Sequence, residues 1–116
     1  MRLSAALPLA SLLAILSTNL AWAADEPTGQ DLAFDNKKGN CLACHSIPGD
    51  PKAVTMANIA PPLVTMKARF PDRAKLRAQI WDSTKANPRT SMPPFGKHKI
   101  LTEQELDKIV DYVHTL

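Results

Sequence analysis

Five consecutive residues, Cys41-Leu42-Ala43-Cys44-His45, have the types and spacing to do chemistry. They read C-x-x-C-H, the attachment pattern for a c-type haem. On a helix, positions i and i+3 share a face, so both thiols can meet the two vinyl groups of one porphyrin and form thioethers. His45 follows directly and can turn its imidazole onto the iron as an axial ligand. Three plainer readings compete. A zinc site needs four ligands, and this chain has no second cysteine pair, while His98 and His114 lack the expected spacing. A redox disulfide of C-x-x-C type belongs beside a βαβ pattern, which is absent. A structural disulfide leaves the adjacent histidine unexplained.

A covalent haem implies export, and the N-terminus reads accordingly. Arg2 precedes an apolar run from Leu3 to Leu16, and Ala21-Trp22-Ala23 fits the small-residue cleavage pattern. Residues 1–23 are expected to be a signal peptide, with a domain at 24–116. A retained anchor is the alternative, but the apolar stretch is short and Pro8 interrupts it. A periplasmic location follows, with no membrane span once the signal is removed. The charge balance is mildly basic, 14 Lys and Arg against 11 Asp and Glu, too weak to argue for nucleic acid. One small domain of this size buries a modest core by itself, and a buried haem would enlarge it.

The elements that must position the motif are helical. Asp25 to Gln30 reads as a flexible start, and a short helix opens at Asp31 with Phe34 as its apolar anchor. Lys37-Lys38-Gly39-Asn40 ends or bends it before the motif. Ser46 to Asn58 reads as loop around Pro48-Gly49-Asp50-Pro51, and Ala60-Pro61-Pro62-Leu63 excludes regular helix. A second helix is expected from about Pro71 to Lys85, with Asp72 in its first turn, Leu76 and Ile80 on one stripe, and Pro88 beyond its end. Arg73 and Arg77 read as a solvated face. The last helix carries a Thr102-x-x-Glu105 capping box and an apolar face of Leu106, Ile109, Val110 and Val113. No strand alternation occurs. The expected fold class is all-α, a single domain wrapped around a covalent haem.

The second axial position has five candidates: Met56, Met66, Met92, His98 and His114. Met92 is preferred, because Pro93 and Pro94 hold its backbone extended and suit a loop that presses a thioether sulfur onto a flat ring. Met56 and Met66 read as core fillers. His98 could replace Met92 only after a loop rearrangement, and His114 is expected to be exposed. A ligating histidine needs its other ring nitrogen oriented, and the Pro61 carbonyl is the expected acceptor.

With these residues in view, the chain resembles the monohaem class I cytochromes c and, more narrowly, the SoxX subunits of SoxAX complexes. Three segments carry the resemblance: Lys38 to Gly49 around the motif, Asn58-Ile59-Ala60-Pro61-Pro62-Leu63, and Met92-Pro93-Pro94-Phe95-Gly96-Lys97-His98-Lys99-Ile100-Leu101-Thr102. The resemblance implies a cytochrome c-like fold and a haem c held by Cys41 and Cys44, with His45 and Met92 on the iron. It implies a heterodimer with a SoxA-like c-type cytochrome, which carries the reacting cysteine. That complex oxidatively couples thiosulfate to a cysteine of a SoxYZ-like carrier, in the manner of an L-cysteine S-thiosulfotransferase. This chain would accept the electrons and pass them to a downstream cytochrome c. Relatives often carry glycine where Ala60 stands, a difference that matters only if the loop needs a positive φ.

Two other functions remain open on the residues alone. A free-standing periplasmic electron shuttle would use Lys37, Lys38, Lys97 and Lys99 to steer docking, against the plainer reading of a solvated charged face. A small enzyme or sensor would need an open iron site, whereas a ligated Met92 closes it. Residues for other chemistry are missing: the chain has no free cysteine once haem is attached, and neither a Ser/His/Asp constellation nor clustered carboxylates.

Overall fold

The structure is a computed structural model that describes residues 25–55 and 57–116; the expected signal peptide and Met56 lie outside the described residues. Among the described residues four α-helices follow in chain order: α1 (Gly29–Phe34), α2 (Met66–Arg69), α3 (Arg73–Trp81) and α4 (Glu103–His114). Two 3₁₀ turns, Cys41–Ala43 and Ser83–Lys85, interrupt the loops between them. Among the described residues there is no strand, as the sequence predicts.

α1 and α4 pack directly on each other and form the base of the molecule. α4 starts where expected, with the Thr102 hydroxyl accepting from the Glu105 N–H and the Glu105 carboxylate accepting from the Thr102 N–H. Leu106, Ile109, Val110 and Val113 are all buried, so the predicted stripe is the stripe that packs. α1 differs from expectation. It opens two residues earlier, at Gly29, because Thr28 and Asp31 form a second capping box in which Asp takes the place of the usual Glu or Gln. The supposed flexible start is therefore partly helix. Gly29 is required by the close approach: a Cβ there would overlap the Lys108 carbonyl oxygen of α4. The rings of Phe34 and Tyr112 then meet edge to face, 5.9 Å between centroids, and close the crossing.

α3 is shorter than the predicted 71–85. Asp72 caps its N-terminus by accepting from the Ala74 N–H. At its other end Asp82 leaves the helix and caps the following 3₁₀ turn through the Thr84 N–H. The stop is thus set by Asp82, six residues before Pro88. The short α2 was not legible as a helix; its Met66 is buried, as expected of a core filler. Arg73 and Arg77 do not form a merely solvated face. Arg73 pairs with Asp111 at 2.5 Å, and Arg77 with Asp107 at 2.7 Å and Glu103 at 3.1 Å, all across to α4. Arg77 also lies over the Trp81 ring, 5.3 Å from its centroid. These acidic partners lie about thirty residues away in sequence, which is why a local reading of α3 misses them. His114 is also half-buried rather than exposed. Its Nε2 lies 2.9 Å from the Phe70 carbonyl, which can only accept, so this nitrogen carries the proton.

One aliphatic core joins these pieces. Leu32, Ile47, Leu63, Met66, Leu76, Ile80, Phe95 and Leu101 are buried together with the α4 stripe. Cys41, Leu42, Trp81 and Met92 are half-buried against that same core. No helix among the described residues is long and apolar enough to cross a membrane.

Candidate haem-binding site

The cysteine segment is positioned mainly by backbone hydrogen bonds. After α1 the chain turns back on itself: the Gly39 N–H donates to Leu32 O at 2.9 Å and the Asn40 N–H to Asp35 O at 3.0 Å. Asn40 takes a left-handed conformation, φ 46°, which asparagine tolerates better than most residues. Lys38 pairs with Glu105 at 2.6 Å and pins this turn to the first turn of α4. The 3₁₀ turn Cys41–Ala43 follows, with the Cys44 and His45 N–H groups both donating to Cys41 O. Both cysteines are free thiols and half-buried. Burial pushes the Cys41 thiol up to about 11, so it stays protonated at neutral pH and is a poor thiolate nucleophile.

The Asn58–Leu63 loop lies alongside. The Ala60 N–H donates to Cys44 O at 3.0 Å and the Leu63 N–H to Ser46 O at 2.9 Å. Between these two rungs, His45 Nδ1 lies 2.7 Å from Pro61 O. A carbonyl cannot donate, so Nδ1 carries the proton and Nε2 keeps its lone pair for a metal. Ala60 has no positive φ, so its methyl group creates no backbone strain. The Thr55 hydroxyl reaches Leu42 O at 2.8 Å and ties the outer loop to the motif as well. Further out, Asp50 accepts from the Tyr112 hydroxyl at 2.7 Å and from Gln30 at 2.5 Å. The Tyr112 hydroxyl and then the Lys52 N–H hold the Asp50 carboxyl below its ordinary range.

Met92 is half-buried against the core, and both of its backbone polar groups are met by hydroxyls. Its N–H donates to Thr90 Oγ1 at 3.1 Å, and its carbonyl accepts from Ser83 Oγ at 2.7 Å. The other candidates are placed differently. Met66 is buried in the core, with Arg69 Nη1 3.2 Å from its sulfur. His98 is exposed, and the other ring of the pair, His114, is bonded to Phe70 O. Among the described residues no group of three or more His, Cys, Asp or Glu side chains is placed to hold a metal ion, so no four-ligand zinc set of those types surrounds Cys41 and Cys44. Of the four lysines considered for steering, Lys38 pairs with Glu105 and Lys97 with Asp82, while Lys37 and Lys99 are exposed.

Helices at the base, a half-buried C-x-x-C-H turn and a histidine with one free ring nitrogen define the class: the chain belongs to the cytochrome c family, whose family model matches residues 28–116. The family implies a covalent haem c. Among solved structures, a chain of the crystal structure of SoxXA from P. pantotrophus superposes with a TM-score of 0.67 and 26% identity, over 78% of this chain and 83% of that one. An uncharacterized lipoprotein of Aquifex aeolicus (strain VF5) is 37% identical over 79 residues, 68% of this chain. The chain spans 37% of the length of that curated relative.

The residues present fit the group that the family implies. The two cysteines lie three positions apart on one turn, and Cys41 is packed against the core. His45 offers Nε2 with its tautomer fixed. Ser83, Thr90 and the Pro61 carbonyl are positioning groups that bear on the candidate ligands. Pro61 was legible from its neighbour Pro62, whereas Ser83 gave no signal, being one serine at the end of a helix.

Proposed function

We propose that this chain is the haem c electron-transfer subunit of a SoxAX-type complex, which couples thiosulfate oxidatively to a cysteine on a carrier protein. The observation that carries the reading is the structural similarity to a SoxXA chain, which runs over most of both chains. The extended motif segments around Cys41 and Met92 support it. The haem would be held by thioethers from Cys41 and Cys44, with His45 Nε2 and the Met92 sulfur as axial ligands and Pro61 orienting His45. Bound there, the haem supplies a one-electron iron couple, whose potential a methionine ligand raises relative to a second histidine.

The chain's own residues do the rest. Pro61 O holds the proton on Nδ1 of His45 and keeps the ring in one tautomer. The aliphatic core keeps water from one side of the site. The two thiols are consumed by attachment, which leaves this chain no free cysteine. The reacting cysteine therefore belongs to a partner, a SoxA-like c-type cytochrome, and this subunit takes the electrons and passes them to a downstream cytochrome c. Residues 1–23 would be removed on export to the periplasm, a reading in keeping with a relative named a lipoprotein.

The experiment is co-expression of the haem-loaded chain with a SoxA-type cytochrome, followed by gel filtration. A stable heterodimer is expected. Monomers alone, with every SoxA-type partner tried, would leave the free-standing shuttle as the better reading.

A further inference from the structure

The Met92 loop is tied both to itself and to α3. Pro93 and Pro94 lack N–H groups, so its first half has few donors. The Met92 N–H reaches Thr90 Oγ1, and the turn beyond closes on the Pro94, Phe95 and Gly96 carbonyls. A tripeptide at the end of α3 adds further ties. The Trp81 carbonyl accepts from the Gly96 N–H at 3.2 Å and the Lys97 N–H at 3.1 Å. Gly96 lies so close against the Trp81 ring that a Cβ would overlap it. Asp82, 3% exposed, pairs with Lys97 Nζ at 3.1 Å and accepts from the Thr84 hydroxyl. Ser83, 0% exposed, donates its hydroxyl to the Met92 carbonyl at 2.7 Å. A fully buried serine and a nearly buried aspartate at a helix end would each be costly without partners. The partner of Ser83 and one partner of Asp82 come from the 92–97 loop, while Thr84 meets Asp82 from within its own turn.

We propose that Trp81-Asp82-Ser83 is a latch that positions Met92: Ser83 grips the residue itself, and Asp82 and Trp81 grip the far end of its loop through Lys97 and Gly96. This rests on the reading of Met92 as an axial ligand. The latch fixes how often the loop swings away and leaves the sixth position of the iron free. An outside ligand binds only the open form, so its apparent affinity rises in proportion to the open fraction. Loss of one net hydrogen bond between latch and loop raises that fraction about tenfold.

The test uses the oxidised, haem-loaded protein and imidazole as the outside ligand, with the sulfur-to-iron charge-transfer band and the reduction potential read in parallel. Ser83→Ala is expected to bind imidazole about tenfold more tightly and to show a lower potential. Lys97→Ala, at an exposed position that tolerates truncation, is expected to bind it about threefold more tightly, and Lys97→Arg to restore the wild-type value. Met92→Ala serves as the reference. If it keeps the charge-transfer band, the ligand assignment fails and the latch with it. If it loses the band while Ser83→Ala and Lys97→Ala match the wild type in imidazole affinity and potential, the latch alone is refuted.

Discussion

The α1–α4 crossing and the loops that carry the site are held by different physics. At the crossing, apolar side chains do the holding: an aliphatic stripe of four buried residues on α4, a glycine that lets two backbones touch, and an edge-to-face ring pair. Such contacts are numerous and individually weak, so the crossing is robust to many changes and sensitive to volume. In the loops, single hydrogen bonds do the holding. One carbonyl orients His45, and two hydroxyls, of Thr90 and Ser83, fix the Met92 backbone. Damage at the crossing should therefore appear as lost stability, and damage in the loops as altered iron chemistry at nearly unchanged stability.

The largest effect that would break this division is at Gly29. A Gly29→Val change places side-chain atoms on the Lys108 carbonyl oxygen, backbone that cannot step aside, so the helices must separate. The expected loss is about 3 kcal/mol or more, seen as a lowered denaturation midpoint of the haem-loaded protein. Leu106→Ala, at a fully buried position, should follow with a loss of about 3 kcal/mol from transfer and cavity formation. In both variants the molecules that remain folded should keep the wild-type potential. A shifted potential in the folded fraction would mean that the crossing reaches the iron, and the two regions could not be treated apart.

The same division explains what could be read in the sequence. The stripe of α4 and its Thr102–Glu105 box repeat at helical spacing, so they are visible one residue after another. The C-x-x-C-H turn and the Pro61 carbonyl are also local signals, a contiguous motif and a proline pair. The box at Thr28 was hidden because aspartate stands in for the usual partner. The end of α3 was misplaced for a related reason. Pro88 is the strongest stop signal in the sequence, yet Asp82 breaks the helix first because its side chain caps the next turn and meets Lys97. Ser83 and the Arg73 and Arg77 pairs were out of reach altogether. Their meaning depends on which distant segment folds against them, and composition and period carry no such information.

The smallest effects test whether the charged bridge between α3 and α4 belongs to the apolar scaffold or merely decorates it. Asp107 sits between Arg73 and Arg77, and the Arg77 guanidinium first, then Arg73, hold its carboxyl below the ordinary range. Glu103 and Asp111 complete the set of charges facing these arginines. A carboxylate whose folded pKa is depressed adds stability that is fully present above its unfolded value, near 4, and is lost as pH falls through the folded value. Because the Asp107 side chain is 41% exposed, water and salt screen the pair, and the contribution should stay under about 1 kcal/mol. Asp107→Asn should therefore lower the denaturation midpoint slightly at neutral pH, and the gap should close as pH falls below the ordinary carboxylate range and the wild-type carboxylate protonates as well. The gap at neutral pH should also shrink in high salt. A gap that persisted in acid would assign the loss to packing beneath the bridge, and the bridge would then count as part of the apolar scaffold rather than as a screened pair upon it.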